Sequence, residues 1–318
     1  MGIFSIITRP LGWILSTFYS FTGNYGIAIL LFTLVTKLVL LPLAIKQQKS
    51  AAQMAKVQPL LAKLQKKYAN DKEKLSQETM KVYKEQKVNP LASCLPMLIQ
   101  IPIVLGLFRV INQPLTYIMH LAKDQVFAIY EYLTNSSLLQ LAGVTAANTQ
   151  NFEIPIARAM SGMIQTISEA LNIPGLHEIN FKFLGFLDLA ARPAAPSLQV
   201  LFQFEKLMEY LRSPELPLLI IPLLAMVTTY FQSKVTPTAT AGGETASATQ
   251  MMSSMTVMLP IMTGVFSFMM PAGVGFYWVC STVFQIAQQL VLNKIYSPSK
   301  EGGNIKVEKI DRANGQDD

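Results

Sequence analysis

The stretch IAILLFTLVTKLVLLPLAI (residues 27–45) decides the fold class of this chain. Its polar residues are Thr33, Thr36 and Lys37, and Lys37 carries its only charge. A helix of about 20 predominantly apolar residues is long enough to cross the hydrocarbon core of a bilayer. The stretch therefore predicts a transmembrane helix.

The composition of the whole chain is also that of a membrane protein. Of its 318 residues, 51% are hydrophobic and 14% are charged, whereas soluble domains have about 25% charged residues. Further apolar runs at residues 91–111, 216–231, 256–270 and 274–292 predict four more spans. The predicted fold class is all-α: a polytopic membrane protein with five transmembrane helices and a cytosolic two-helix hairpin.

Positive charges are concentrated between the first two predicted spans. Residues 46–87 contain eleven lysines and four acidic residues, whereas residues 112–213 contain six Lys/Arg and eight acidic residues. Loops that remain in the cytosol carry an excess of lysine and arginine. We therefore predict that the N-terminus lies outside and the C-terminus lies in the cytosol.

The lysine-rich segment predicts a helical hairpin. An apolar stripe recurs at steps of three and four residues, formed by Met54, Val57, Leu61 and Leu64. Asp71 follows as the N-cap of a returning helix. Lys63, Lys66 and Lys67 fall near the predicted tip. Two interpretations remain open: a solvated face with only a topological role, or a site that binds polyanions such as ribosomal RNA or anionic lipids.

Composition also separates the other segments. Ser16, Thr17 and Ser20 interrupt the apolar stretch near the N-terminus, which favours an amphipathic helix on the outer surface. The Thr/Ser/Ala/Gly-rich stretch before the fourth span is typical of a flexible linker. The predicted segments are residues 1–22 (amphipathic surface helix), 23–45 (first span), 46–88 (cytosolic helical hairpin), 89–111 (second span), 112–213 (extracytoplasmic segment with short helices), 214–232 (third span), 233–250 (cytosolic linker), 251–270 (fourth span), 273–293 (fifth span) and 294–318 (cytosolic disordered tail).

Lys37 is the residue that points to a function. An ionisable side chain near the middle of a bilayer costs about 2.5–3.5 kcal/mol on insertion scales and therefore tends to face a polar cavity. Snorkelling to the interface is the alternative, but Lys37 lies near the middle of its predicted span, which favours a water-filled groove. Other polar groups and amphipathic rings on the spans complete the predicted lining: Thr33, Gln100, Gln285, Tyr277 and Trp278.

Residues suited to metal binding or covalent catalysis are few. The chain has two histidines and two cysteines, and it contains neither a nucleotide-binding glycine loop nor a Gly-x-Ser-x-Gly motif. We therefore expect no enzymatic activity, no catalytic residue, no metal site and no cofactor.

Short motifs follow one another in a characteristic order along residues 20–295. They are GNYG (23–26), ILLFT (29–33), LLPL (40–43), QP (58–59), KKY (66–68), YK (83–84), NP (89–90), LPMLIQIP (95–102), FLDL (186–189), FYW (276–278) and QQ (288–289). In these motifs the chain resembles the YidC/Oxa-type membrane protein insertases, in the five-span form of Gram-positive bacteria.

This resemblance implies a function and its partners. The chain would move newly made proteins into the bacterial cytoplasmic membrane through a hydrophilic groove, alone or with the Sec translocon, and its partners would be nascent membrane proteins, the ribosome and anionic lipids. Lys37 stands where many members have arginine, so the charge persists without the planar guanidinium. Residues that line or contact substrate in the family match Thr33, Gln100, Ile101, Val104 and Tyr277.

Two other classes of function remain open. A small secondary transporter could use Lys37 to bind an anionic substrate. A structural scaffold or assembly factor would have the same hydrophobic spans.

Overall fold

The computed structural model describes residues 3–86, 90–135, 152–193, 216–236 and 246–296, together with Glu205, Met208 and Arg212; the side chains of residues 90–100 and 246–257 are not described. The predicted tail beyond residue 296 and linker residues 237–245 lie outside the described residues. Contacts divide the chain into two units. The first comprises Met1–Val39, Ile99–Lys234 and Met255–Ile286, and the second comprises Leu40–Leu98, Val235–Ser254 and Ala287–Asp318.

The described residues are mostly helical, and the sequence-based expectation of a largely helical chain is confirmed. In chain order the helices are α1 (Ile3–Thr22), α2 (Tyr25–Val39), α3 (Leu41–Lys67), α4 (Lys72–Glu85), α5 (Pro90–Asn112), α6 (Pro114–Tyr117), α7 (Lys123–Asn135), α8 (Glu153–Ala159), α9 (Ile164–Leu171), α10 (Ile220–Val235, after a 3₁₀ turn at Leu216–Leu219), α11 (Ala246–Met269) and α12 (Ala272–Ile295). Two short strands, β1 (Lys182–Phe183) and β2 (Leu187–Asp188), form an antiparallel β-hairpin.

The GNYG motif forms the junction between α1 and α2. Gly23 has φ 59° and its N–H bonds to the Tyr19 carbonyl, which ends α1 with the left-handed residue that glycine favours. The side chain of Asn24 then accepts hydrogen bonds from the backbone N–H groups of Gly26 and Ile27 at 3.1 and 3.2 Å. Asn24 is therefore the N-cap of α2.

The helix that carries Lys37 ends earlier than the sequence suggested. α2 stops at Val39 and α3 begins at Leu41, with Pro42 in its first turn, where proline is tolerated because the N–H has no helical partner. The predicted span ran on to residue 45. Lys37 consequently lies in the last turn of α2 and not near the middle of a continuous helix.

The described part of residues 112–213, predicted as an extracytoplasmic segment with short helices and here called the outer segment, shares the main core of the first unit. Fully buried apolar side chains from α7, α8 and the residues after them belong to the main core of the first unit, together with α1 and α2. They include Ile129, Leu133, Ile154, Ile156, Met160 and Leu189. The segment also contains the β-hairpin, which the all-α prediction did not anticipate.

Glu153 is buried inside this outer segment, with 1% of its surface exposed. Its carboxylate accepts hydrogen bonds from the backbone N–H of Thr116 at 2.7 Å and from the Thr116 hydroxyl at 2.6 Å. Thr116 belongs to the first turn of α6, whose N–H groups have no helical partner. The first residue of α8 therefore caps α6.

We expect the stability of the protein to fall as the pH rises from about 4.5 to about 7. Burial raises the pKa of Glu153 from 4.5 to about 7, partly opposed by the Thr116 hydrogen bonds and by Arg109. The unfolded chain releases this proton near its ordinary pKa while the folded chain still holds it, so each increment of pH in the window favours unfolding. The resulting loss in the free energy of unfolding reaches about 3 kcal/mol and levels off above pH 7. Thermal melts of wild type and Glu153→Gln across the window measure it, and parallel curves for the two proteins would contradict it.

Apolar stripes on the later helices face outward. On α10 the side chains of Leu223, Val227 and Phe231 are 57%, 49% and 55% exposed, at steps of four residues. Soluble proteins rarely expose contiguous apolar patches of this kind. Among the described residues, Leu216–Val235 is long and apolar enough to cross a membrane, and α2 and α3 meet the same criterion together as one broken span. Ile101–Asn112 and Met258–Met269 are apolar over shorter lengths.

In the second unit, α3 and α4 pack against each other through a separate small core. Met54, Val57 and Leu61 of α3 are almost completely buried against Val82 and Tyr83 of α4. Asp71 begins α4 by accepting a hydrogen bond from the N–H of Lys74 at 3.0 Å. The period of the apolar stripe thus decides which face of α3 is buried.

Candidate functional site

Lys37 and Gln285, both predicted site residues, lie together in the structure. Lys37 is in the last turn of α2, and Gln285 lies on α12, 248 residues later in the chain. The Lys37 Nζ atom donates a hydrogen bond to Oε1 of Gln285 at 3.2 Å, and both side chains are half-buried. This contact fixes the position of the ammonium group.

Within the described ranges, no carboxylate forms an ion pair with Lys37. The Gln285 amide oxygen is neutral and accepts from one of the three N–H donors of the ammonium. A carboxylate or another polar group from outside the chain could accept from the remaining donors. The arrangement therefore suits the binding of an acidic or polar segment.

Thr33 lies one turn before Lys37 but is completely buried. Its hydroxyl donates to the carbonyl of Ile29 at 2.7 Å, and Thr36 does the same to Phe32 at 2.9 Å. A hydroxyl bonded to its own helix in this way can line an apolar surface without an unsatisfied group. The structure thus places Thr33 in the core of the first unit.

Two of the three predicted site residues on α5 are exposed apolar side chains. Ile101 and Val104 are 46% and 37% exposed and form part of an apolar surface with Leu105. Gln100 is in the same helix, but its side chain lies outside the described residues. The described side chains at this end of α5 thus offer apolar contact area.

The neighbouring rings of α12 occupy different surroundings. Tyr277 is buried in the core of the first unit, whereas Trp278 is 40% exposed and its Nε1 donates to the Thr229 hydroxyl at 3.4 Å. Trp278 and Phe108 line an apolar cavity of about 310 Å³, whose other lining residues belong to α11, to Met270 directly after it and to the first turn of α12. Lys37 is not part of that lining.

A polar network in the second unit joins Gln289 to Gln48 and Asn293, two residues that the sequence patterns did not single out. Gln289 Nε2 donates to Gln48 Oε1 at 2.6 Å and to Asn293 Oδ1 at 2.8 Å, and Asn293 Nδ2 donates to the Val235 carbonyl at 2.9 Å. The signal was available, because Gln285, Gln289 and Asn293 recur every four residues and so share one face of α12. Gln48, by contrast, has no local pattern that marks it.

The predicted polyanion contacts lie together near the end of α3. Lys63, Lys66 and Lys67 are all exposed, and Lys67 also lies over the ring of Tyr68, with Nζ 5.5 Å from the centroid. The apolar stripe of α3 is turned toward α4. The three lysines are therefore available to a partner.

Comparison with known proteins places the chain in a family. The sequence model of the family described as "60Kd inner membrane protein" matches residues 17–300. "Membrane protein insertase YidC" of Nitratidesulfovibrio vulgaris is 32% identical over 293 residues, which cover 91% of this chain and 39% of that protein. Proteins of the same name from Lawsonia intracellularis and Fusobacterium nucleatum are 44% identical over 147 residues and 46% identical over 110 residues, covering 46% and 35% of this chain and 26% and 54% of theirs.

The chain thus spans about two fifths of the length of the relative that it matches most extensively among these three. The family match nevertheless extends from α1 through α12, and the family gives this chain a bacterial inner membrane as its location. The resemblance drawn from the motifs is confirmed, and the chain belongs to the 60Kd inner membrane protein family, the family of the YidC/Oxa insertases.

Proposed function

We propose that this chain is a membrane protein insertase, the activity that the names of its relatives state. The observation that carries the proposal is the half-buried Lys37 ammonium, which is held by a neutral amide at the end of an apolar helix. It would attract acidic or polar parts of a newly made protein and so lower the barrier to their entry into the bilayer. The exposed apolar stripes of α10 and α11 would pass the apolar parts to lipid. This mechanism needs no covalent step and no cofactor.

The proposed topology has five spans, formed by α2, α5, α10, α11 and α12. The N-terminus lies outside, the α3–α4 helical hairpin and the C-terminus lie in the cytosol, and α1 and α6–α9 lie on the outer surface. The excess of lysine in residues 46–87 supports this orientation.

Cysteine labelling tests this orientation. In a variant without Cys94 and Cys280, we expect Ala69→Cys, at the exposed turn between α3 and α4, to react with a membrane-impermeant maleimide only after permeabilisation. Glu131→Cys, exposed on α7, should react in intact cells. Both should react equally once the membrane is opened, and labelling of Ala69→Cys in intact cells would overturn the topology.

For the α3–α4 helical hairpin we propose binding to ribosomes and to anionic lipid through Lys63, Lys66 and Lys67. Because lysine–phosphate contacts release counterions, affinity should fall steeply with salt, with about 0.7–0.9 units of log–log slope per contact. Replacing all three lysines by glutamine should therefore reduce the slope by about 2. Co-sedimentation with ribosomes over a range of salt concentrations measures it.

A matched control changes the same charge elsewhere on the helical hairpin. Lys72, Lys74 and Lys81 of α4 are also exposed, and their replacement by glutamine should leave most of the slope unchanged. Equal losses from the two triple variants would show that the tip has no special role. Salt-independent binding would leave these lysines with only a topological role.

Reconstitution tests the function itself. Purified protein in liposomes should insert a short membrane protein with an acidic outer segment, scored by protection from external protease, with empty liposomes as the control. The rival proposal, a transporter that uses Lys37 to bind a small anion, predicts anion uptake without insertion. Failure to insert any substrate, alone or with purified Sec translocon, would favour the scaffold interpretation.

A further inference from the structure

The tip of the β-hairpin holds two large apolar side chains in solvent. Phe183 pairs with Leu187, so the loop between the strands has three residues, Leu184, Gly185 and Phe186. Leu184 and Gly185 have φ angles of 52° and 81°, and Leu184 and Phe186 are 68% and 59% exposed. A loop position with φ near 50° favours glycine or asparagine, because both tolerate the left-handed region. Leucine is strained there and gains nothing from burial. A strained, exposed apolar residue calls for a functional explanation.

The β-hairpin is rigidly attached beside the start of α2. The Asn24 side chain donates to the Lys182 carbonyl at 2.9 Å, and the ring of Phe183 packs so closely on Gly26 that a Cβ there would lie 2.5 Å from it. Phe183 also contacts Phe276 of α12, with ring centroids 4.7 Å apart. The tip is therefore held at the level where α2 begins.

The surroundings of the tip match the interfacial zone of a bilayer. Phe21, in the last turn of α1, is 83% exposed, and Lys182 in β1 is also exposed. Aromatic and long apolar side chains next to a lysine are typical of the region where acyl chains meet phosphate groups. Because α2 continues from this level as a membrane helix, lipid is the surface that the tip meets.

We propose that Leu184 and Phe186 insert into the outer interfacial region of the bilayer and that Lys182 binds lipid phosphate. The β-hairpin is thus a lipid anchor that fixes the outer segment to the membrane next to α2. This inference rests on α2 crossing the bilayer and is independent of the insertase activity.

A fluorophore at the tip tests the anchor. Phe186→Cys, in the variant without Cys94 and Cys280, is labelled with the environment-sensitive dye NBD and reconstituted in vesicles of phosphatidylcholine and phosphatidylglycerol. We expect a blue-shifted emission and quenching by lipids with a nitroxide near the glycerol. The control, Gln165→Cys on the exposed face of α9, should show neither. NBD emission typical of water at position 186, without nitroxide quenching, would overturn the proposal. A blue shift that depends only on the density of protein in the vesicles would also overturn it, because a second copy of the chain would then be the partner.

Stability in detergent separates anchoring from a structural role. Leu184→Asn should melt at the same temperature as wild type or higher, because asparagine relieves the strained turn. In vesicles, Leu184→Asn combined with Phe186→Ser should make the outer segment more sensitive to external protease. A large loss of thermal stability for Leu184→Asn in detergent, or unchanged protease sensitivity of the double variant, would contradict the anchor. Lys182→Gln should lower the dependence of NBD quenching on phosphatidylglycerol.

Discussion

Replacing Lys37 by leucine is expected to reduce insertion of substrates with acidic outer segments by about tenfold or more, since hydrogen bonds to charged groups contribute about 1.5–3 kcal/mol. Lys37→Arg should retain activity, because the positive charge persists although the geometry of its donors changes. The measurement is the liposome insertion assay, run with acidic and neutral versions of one substrate. Neutral versions should be affected least.

Measuring stability together with activity distinguishes a role of Lys37 in binding substrate from a role in folding. Lys37→Leu removes a half-buried charge from the end of an apolar helix, so its melting temperature in detergent should be unchanged or higher. Lys123→Leu, which removes an exposed lysine at the start of α7, controls for the loss of one positive charge. Full activity of Lys37→Leu on acidic substrates would contradict the proposal that Lys37 binds acidic segments of the substrate.

Replacing Glu153 by alanine is expected to lower the free energy of unfolding by about 2–3 kcal/mol, because buried donors lose their acceptor. The N–H and the hydroxyl of Thr116 both bond to this carboxylate, and the site is almost inaccessible to water. Thermal melts in detergent at a fixed pH measure the loss.

Two variants define what the Glu153 carboxylate does. Glu153→Gln keeps the shape of the side chain and an acceptor oxygen, so it should lose clearly less stability than Glu153→Ala. Thr116→Val removes the hydroxyl donor of the same contact. Its loss of stability should therefore not add to the loss caused by Glu153→Gln or by Glu153→Ala. Equal losses for Glu153→Gln and Glu153→Ala would mean that shape and hydrogen bonding are not what the carboxylate contributes.

Local patterns were enough to predict that the chain is largely helical and which face of α3 is buried. The stripe of Met54, Val57 and Leu61 has a helical period, and the period depends only on neighbouring residues. The break at Leu40 was not predicted, because Pro42 in an apolar run reads equally well as a residue near the end of one span or in the first turn of a new helix. That single ambiguity displaced Lys37 from the middle of a helix to its last turn.

The features that the sequence did not predict depend on contacts between segments that are distant in the chain. Gln285 was predicted only as one of several polar groups near Lys37, because an intramembrane charge requires polar company, and its direct contact with Lys37 was not predicted. The capping of α6 by Glu153 follows from no local rule. The burial of Thr33 depends on which neighbours pack against α2, and helical period alone does not identify them. The β-hairpin has only two residues in each strand, too few for alternation to appear.

The separation of 248 positions between Lys37 and Gln285 imposes an order on the synthesis of the protein. Lys37 is synthesised long before Gln285, so α2 holds a lysine whose hydrogen-bond partner has not yet been made while the intervening chain is translated. The growing chain can therefore begin to settle in the membrane well before it possesses its polar site. Any insertion that depends on this contact can start only after Gln285 has been made.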